Sequence, residues 1–280
     1  MNELVLSEHI ENILVAQDLR GMKQAQAFLS PGYYLRAAQL LFNNHSHVLI
    51  GTGFPVSDTF ETDGPVGAIA LYEALQTLGG KPVLVCGDPL YSALKQDYDC
   101  LALPIGNVDD APAQAQQTLN HHQPSLVLSI ERPGLTSDGS YRNMRGEDIS
   151  ARCARFDDHL DLALCPTIAI GDGGNEIGMG NIAEHLSELD ITTSATKCDE
   201  LLIADVSNWA AYGLIAFLSL WSKQDLLAQI SPISILQYLS DKGSVDGVTR
   251  ENTLTEDSLC VSAGEAVIKQ IRDLIFSKEL

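Results

Sequence analysis

The sequence predicts an α/β protein: a mostly parallel sheet with helices on both faces and ligand loops gathered at the carboxyl ends of the strands. Three observations lead there. Short apolar runs rich in Val, Ile and Leu recur along the chain, bounded by Gly, Asp or Pro. Helix-length segments separate them, which implies βαβ units and strands buried on both faces. The polar residues that packing does not explain come directly after the strands, where ligands bind in such sheets.

The elements follow in order. Residues 2–43 read as helices, with Leu4, Ile10, Ile13 and Leu14 at helical spacing and Ser30-Pro31-Gly32 interrupting before Tyr33–Phe42. Val48-Leu49-Ile50 is a strand, followed by a glycine loop and a helix from about Pro65 to Leu78. Pro82–Cys86 is the second strand, with a helix near Tyr91–Gln96, and Cys100–Leu103 is a short third. Ala111–His121 is helical, Leu126–Ile130 a strand, and Thr167–Ile170 and Leu201–Ala204 complete the sheet. Asn181–Leu186, Trp209–Trp221 and Ala263–Phe276 read as helices. The expected architecture is one Rossmann-like α/β domain over 1–280, with 1–44 as an N-terminal helical extension.

Composition narrows the partners. The 280 residues are 45% hydrophobic, enough for a sizeable core. Asp and Glu total 37 against 17 Lys and Arg, a net charge of -20, which disfavours nucleic acid and anionic membranes. A small anionic substrate can bind only where local arginine or metal charge overcomes that field. Six scattered cysteines form no CxxC and no Cys/His cluster, which argues against structural zinc and fits reduced thiols in the cytoplasm. The acidic N-terminus resembles no targeting peptide, and the apolar stretch Trp209–Trp221 is too short to span a bilayer. A symmetric homo-oligomer is the base-rate expectation.

The segment Gly171-Asp172-Gly173-Gly174-Asn175-Glu176-Ile177-Gly178-Met179-Gly180 is the most informative. Its five glycines permit positive φ and close backbone approach to a ligand. Phosphate-cradling glycine loops avoid carboxylates, whereas this one holds Asp172 and Glu176, so a hard cation or an amine is the natural ligand. The first glycine loop, Gly51-Thr52-Gly53-Phe54-Pro55, lacks the third glycine of a dinucleotide fingerprint. It runs on to Glu61-Thr62-Asp63-Gly64-Pro65, where Asp63 is either the cap of the next helix or a ligand. The stretch from Glu131-Arg132-Pro133-Gly134 to Asp148 concentrates three arginines, Arg132, Arg142 and Arg145, in an acidic chain. It reads as a functional loop or lid, or as a salt-bridged connector. Ser207 or Asn208 caps the last apolar helix, or that helix N-terminus receives a substrate carboxylate. Lys242–Thr249 is a further acidic loop, either a turn or a cover over the site. His159 and His185 read as surface or capping residues.

Taken together, these loops resemble the C-terminal domain family of the D-glutamate cyclases. The matching pieces are Thr52-Gly53-Phe54, Glu61–Pro65, Glu131–Gly134, Asp138–Arg145, Asp172–Gly180, Ser207-Asn208-Trp209 and Val245–Thr249, in family order across about residues 45–255. The resemblance implies a cyclase-like catalytic domain over 45–280 and a divalent metal, magnesium or manganese, held by the acidic loops. It implies a lyase that dehydrates D-glutamate, or a similar amino dicarboxylate, to 5-oxo-D-proline.

Ring closure needs a base for the ammonium, for which Glu131 or Glu176 is suited. It needs an electrophilic γ-carboxylate, polarised by a cation or by Arg132 and Arg145. Asp63, Asp172 and Glu176 are the expected metal ligands. Thr52, Gly53, Asn143, Ser207 and Asn208 are the expected substrate contacts. The same residue types also suit a metal-dependent phosphatase, and an α/β crevice can equally serve a non-catalytic metabolite-binding module.

Overall fold

In a computed structural model, which describes residues 2–106, 109–186 and 191–276, six apolar runs form one parallel sheet. Its strands are β1 His47–Thr52, β2 Lys81–Gly87, β3 Cys100–Leu103, β4 Leu126–Ile130, β5 Thr167–Gly171 and β6 Glu200–Ile203. They lie in the order β3-β2-β1-β4-β5-β6. That is the doubly wound order whose switch point lies between β1 and β4. Register aligns the carboxyl ends: Thr52 lies opposite Ile130, Ile130 opposite Ile170, and Gly171 opposite Ile203. Glu131 and Asp172, one residue further on, therefore leave the sheet on the same edge.

The principal helices are α1 Glu3–Leu14, α2 Tyr33–Asn43, α3 Pro65–Thr77, α4 Ala111–His122, α5 Ser207–Ser222, α6 Pro232–Asp241 and α7 Val261–Phe276. A right-handed crossover stepping outward from β1 to β2 and one stepping back from β3 to β4 put α3 and α4 on opposite faces. Helix α5 is apolar all round, and every residue from Ser207 to Ser219 is buried, as expected of a helix surrounded by others. It packs against α1, α2, α3 and α7. Gly67 lets α3 and α5 touch, since a Cβ there would meet Asn208 Cα at 2.8 Å. The N-terminal helices join the central core through Leu6, Ile10 and Leu14.

Two expectations are corrected. Residues 181–186 form no α-helix but two short 3-10 turns, Met179–Asn181 and Ala183–His185. The Asn181 amide pairs with Cys198, donating to its carbonyl at 2.9 Å and accepting from its N at 3.1 Å. Gly178 N and Gly180 N both donate to Thr196 O, so this backbone is tied sideways to 194–198 and cannot continue a helix. His159 is buried and stacked on Phe156 at 4.7 Å rather than on the surface. Among the described residues, no helix is long and apolar enough to cross a membrane.

Candidate functional site

Three loops bring acids together at the switch point. Glu131, the first residue after β4, is buried with φ +44°. A non-glycine side chain is uncommon in that left-handed region, and such strain gathers at functional sites. Its N donates to Ile170 O at 3.1 Å, and its carboxylate accepts from Ser207 Oγ at 2.6 Å. Asp172 follows β5, and Asp63 comes from the long loop after β1. One carboxylate oxygen from each of Asp63, Glu131 and Asp172 lies within 4.8 Å of the others, and all three residues are buried.

Asp63 and Asn208 cap each other's helices. Ser207 N and Asn208 N, at the start of α5, donate to the Asp63 carboxylate at 3.0 and 2.8 Å. Asn208 Oδ1 accepts from Gly64 N at 2.8 Å and Gly67 N at 2.7 Å, at the start of α3. Asn208 Nδ2 donates to Glu256 Oε1 at 2.7 Å and Thr62 O at 3.2 Å. The carboxylate at the α5 N-terminus is thus the chain's own. Asp63 is therefore not the cap of the helix that follows it, whose cap position is Gly64, but caps the distant α5 and also faces the other acids.

The cluster is short of positive charge. Burial pushes the Asp63 carboxyl up to about 7, with Asp257 adding to the rise. Burial, then the charges of Glu176, Asp63 and Glu61, holds Glu131 well above the ordinary carboxylate range. Burial raises Asp172 too, against the pull of Arg20, and burial with Asp257 and Asp63 raises Glu61. Arg20 is the one basic side chain ion-paired to these acids among the described residues, reaching Asp172 and Asp257. So dense a group either retains protons or takes up a cation. Its donors are all carboxylate oxygens, which fits a hard divalent cation rather than zinc or copper.

Above the acids opens a cavity of about 460 Å³. Glu61, Glu131, Asp172 and Asp257 line it together with Arg20 and Asn175. Phe54, Val56, Met144 and Val248 supply apolar wall, and Arg145, Arg152 and Arg250 sit toward the solvent side. Asn175 donates through Nδ2 to Arg142 O at 3.0 Å, while its Oδ1 is buried without a partner.

Sequence reasoning placed some of these residues and misplaced others. Asn143 and Arg145 line the cavity with Glu131 and Met144 of the same 131–148 segment, whose Arg142 also pairs with Asp138 and Asp148 at 3.8 and 4.0 Å, as the salt-bridged reading expects. Gly247 and Val248 bring the 242–249 loop over the site. Of the expected metal ligands, Asp63 and Asp172 converge, with Glu131 in the place foreseen for Glu176. Glu176 turns back onto its own glycine turn, accepting from Gly174 N at 2.7 Å and Gly173 N at 3.3 Å. Arg132 is directed at backbone: Thr52 O at 2.7 Å, Ala154 O, and the face of the Phe156 ring at 5.3 Å. Thr52 and Gly53 border a separate small crevice beside Leu90, outside the main cavity. Ser207 and Asn208 are fully buried and bonded within the protein. Arg20, Asp257, Glu256, Arg152 and Arg250 were not foreseen. No local motif marks them; for Arg20, Arg152 and Arg250 the available signal was the scarcity of arginine in an acidic chain.

Fold and site define an α/β protein with an acidic cavity at the switch point of its sheet, where the buried Asp63, Glu131 and Asp172 could hold a metal ion. The D-glutamate cyclase-like, C-terminal family matches residues 10–272, and the chain belongs to it. It is 32% identical over 207 residues to the human protein named D-glutamate cyclase, mitochondrial. That alignment covers 64% of this chain and 34% of the human protein, so the chain spans about a third of that relative's length. A solved structure titled as an exopolyphosphatase-related protein from Bacteroides fragilis aligns over 90% of this chain and 62% of its own. Its identity is 10% and its TM-score 0.41, a likeness that carries no argument.

Proposed function

We propose that the protein is a cation-assisted lyase of the D-glutamate cyclase type, interconverting D-glutamate, or a similar small amino dicarboxylate, with its five-membered lactam and water. The observation that supports this best is the buried Asp63, Glu131 and Asp172 triad beneath an arginine-bordered cavity. In the forward direction the amine nitrogen bonds to the carbon of the γ-carboxylate, a C–O bond breaks, and two protons pass from nitrogen to the departing oxygen, which leaves as water. Glu131, held above the usual carboxylate range by burial and its acidic neighbours, is suited to take protons from the ammonium in turn and pass them to the departing oxygen. Asp63 and Asp172 would hold magnesium or manganese beside Glu131, and the ion when bound supplies Lewis-acid polarisation of the γ-carboxylate. Arg145, with Arg152 and Arg250, attracts the dicarboxylate substrate toward the mouth, and Asn143 shapes the wall. Arg132, Glu176, Ser207 and Asn208 keep the loops in place. A cytoplasmic setting suits the six free cysteines.

The test incubates purified protein with Mg²⁺ or Mn²⁺ and D-glutamate, and separately with 5-oxo-D-proline, following both compounds by chiral chromatography. Metal-stripped protein and Asp172→Asn serve as controls. No interconversion in either direction sinks the proposal. The arginines suit phosphate as well, so release of phosphate from an ester panel is measured alongside. Ligand binding without turnover would leave a metabolite-binding module.

A further inference from the structure

Arg20 reaches the cavity from the N-terminal segment, and that segment is shaped to deliver it. The Asp205 carboxylate, just past β6, accepts from Gln17 N at 2.7 Å and Leu19 N at 3.4 Å. Asp205 N donates in turn to Leu14 O at 2.7 Å. Asp18 and Gly21 take φ of +51° and +78°, so the chain bends sharply on both sides of Arg20. The guanidinium is then held along one edge. Nε donates to Asp172 O at 3.3 Å, and Nη2 to the carboxylates of Asp172 and Asp257 and to Asp205 O at 3.1 Å. Nη1 makes no hydrogen bond among the described residues, although Arg20 lines the cavity with 19% of its side chain exposed. A counter-ion with no other task gains by offering both Nη atoms to the acids. A planar fork fixed by one edge instead presents its remaining N–H groups in a set direction, the arrangement that suits a carboxylate. The arginines nearer solvent are less firmly held, each by one hydrogen bond: Arg145 to Val248 O, Arg152 to Ser57 O and Arg250 to Glu147.

We propose that Arg20 binds a carboxylate of the substrate through Nη1, so that the N-terminal helical segment completes the active site. The inference rests on reading the cavity as an amino-dicarboxylate site. Either carboxylate of such a molecule offers the required chemistry, and the ligands below separate the two.

Titration calorimetry on the full chain with Mn²⁺ tests it, using wild type, Arg20→Gln and Arg20→Lys. The ligands are D-glutamate, its α-amide, its γ-amide and glutarate. Wild type is expected to prefer D-glutamate over one of the two amides by about ten- to a hundredfold, as one charge-assisted hydrogen bond implies. The amide that is rejected names the carboxylate that Arg20 holds. Arg20→Gln is expected to bring that ratio close to one, and Arg20→Lys to lower it in part, which keeps the test valid if the glutamine variant does not fold. An unchanged ratio in both variants, whatever the loss of absolute affinity, overturns the proposal and leaves Arg20 a counter-ion. Failure of every ligand, glutarate included, to bind wild type overturns it as well. A ratio that falls in the Arg20 variants of a protein that forms no lactam upholds the proposal and removes the lyase reading alone.

Discussion

Replacing Asn208 by alanine should cost stability rather than substrate affinity. Four hydrogen bonds converge on this fully buried side chain: from Gly64 N and Gly67 N, and to Thr62 O and Glu256. Losing the cap of α3 costs about 1 kcal/mol. Gly67 N and the Glu256 carboxyl then lose a buried partner, for roughly 2–3 kcal/mol more. Gly64 N is spared because Asp63 Oδ1 also accepts from it at 2.9 Å. The sum, about 3–4 kcal/mol, corresponds to a fall in melting temperature of roughly 6–15 °C for a chain near this size. Thermal unfolding followed by circular dichroism measures it. Asn208→Asp should not rescue the loss, because it keeps the oxygen that accepts from both α3 amides but sets its other oxygen against Thr62 O and Glu256. A wild-type melting temperature in Asn208→Ala combined with weakened ligand binding would refute the reasoning and return Asn208 to the substrate.

Other consequences are open to measurement. Asp63 rises from 3.8 to about 7 in the folded chain, so between those pH values the folded state binds more protons than the unfolded one. That contribution to stability is complete below about pH 4 and is lost as pH climbs through 7. Urea unfolding in chelator should show the metal-free protein weakening from pH 5 to pH 8, whereas stabilisation by Mn²⁺ should grow over the same interval as it displaces protons; parallel profiles with and without metal would count against a cation on these acids. Asp172→Asn should remove the rise in melting temperature that Mn²⁺ causes in wild type. Glu131→Gln should abolish turnover yet melt no lower than wild type, since the neutral amide relieves a buried acid and keeps an oxygen for Ser207; a stable variant with full activity would exclude Glu131 as the proton carrier. Arg132→Lys should destabilise by roughly 2–4 kcal/mol, because a point-like ammonium cannot reach Thr52 O and Ala154 O together and forgoes the Phe156 ring. Its folded fraction should still bind ligand.

The sheet was legible because parallel strands covered on both faces must be continuous apolar runs; each of the six stands out as one, the half-exposed edge strand β3 included. The ligand edge was legible for the same reason: the polar residues after β1, β4 and β5 had no packing role to play. The weaker readings share a cause. Asn181–Leu186 has helical composition, yet cross-chain bonds to Thr196 and Cys198 claim its backbone. Arg132 and Glu176 sit within acidic and glycine-rich segments that point to ligands, but strand carbonyls and glycine amides lie closer to their polar atoms than the cavity does.

The sequence by itself determined the doubly wound class, the acidic character of the site and the loops that supply it, because periodicity, glycine and charge are local properties of the chain. Only the tertiary structure decided which acids meet. Whether Asp63 faces Glu131 depends on α3 and α5 approaching closely enough to cap each other, and on Glu131 taking a left-handed backbone. The tertiary structure alone also brought Arg20 to Asp172, 152 positions away along the chain. Separations of that length leave no trace in local pattern; they are set by the packing of helices on a sheet whose strand order reverses between β1 and β4.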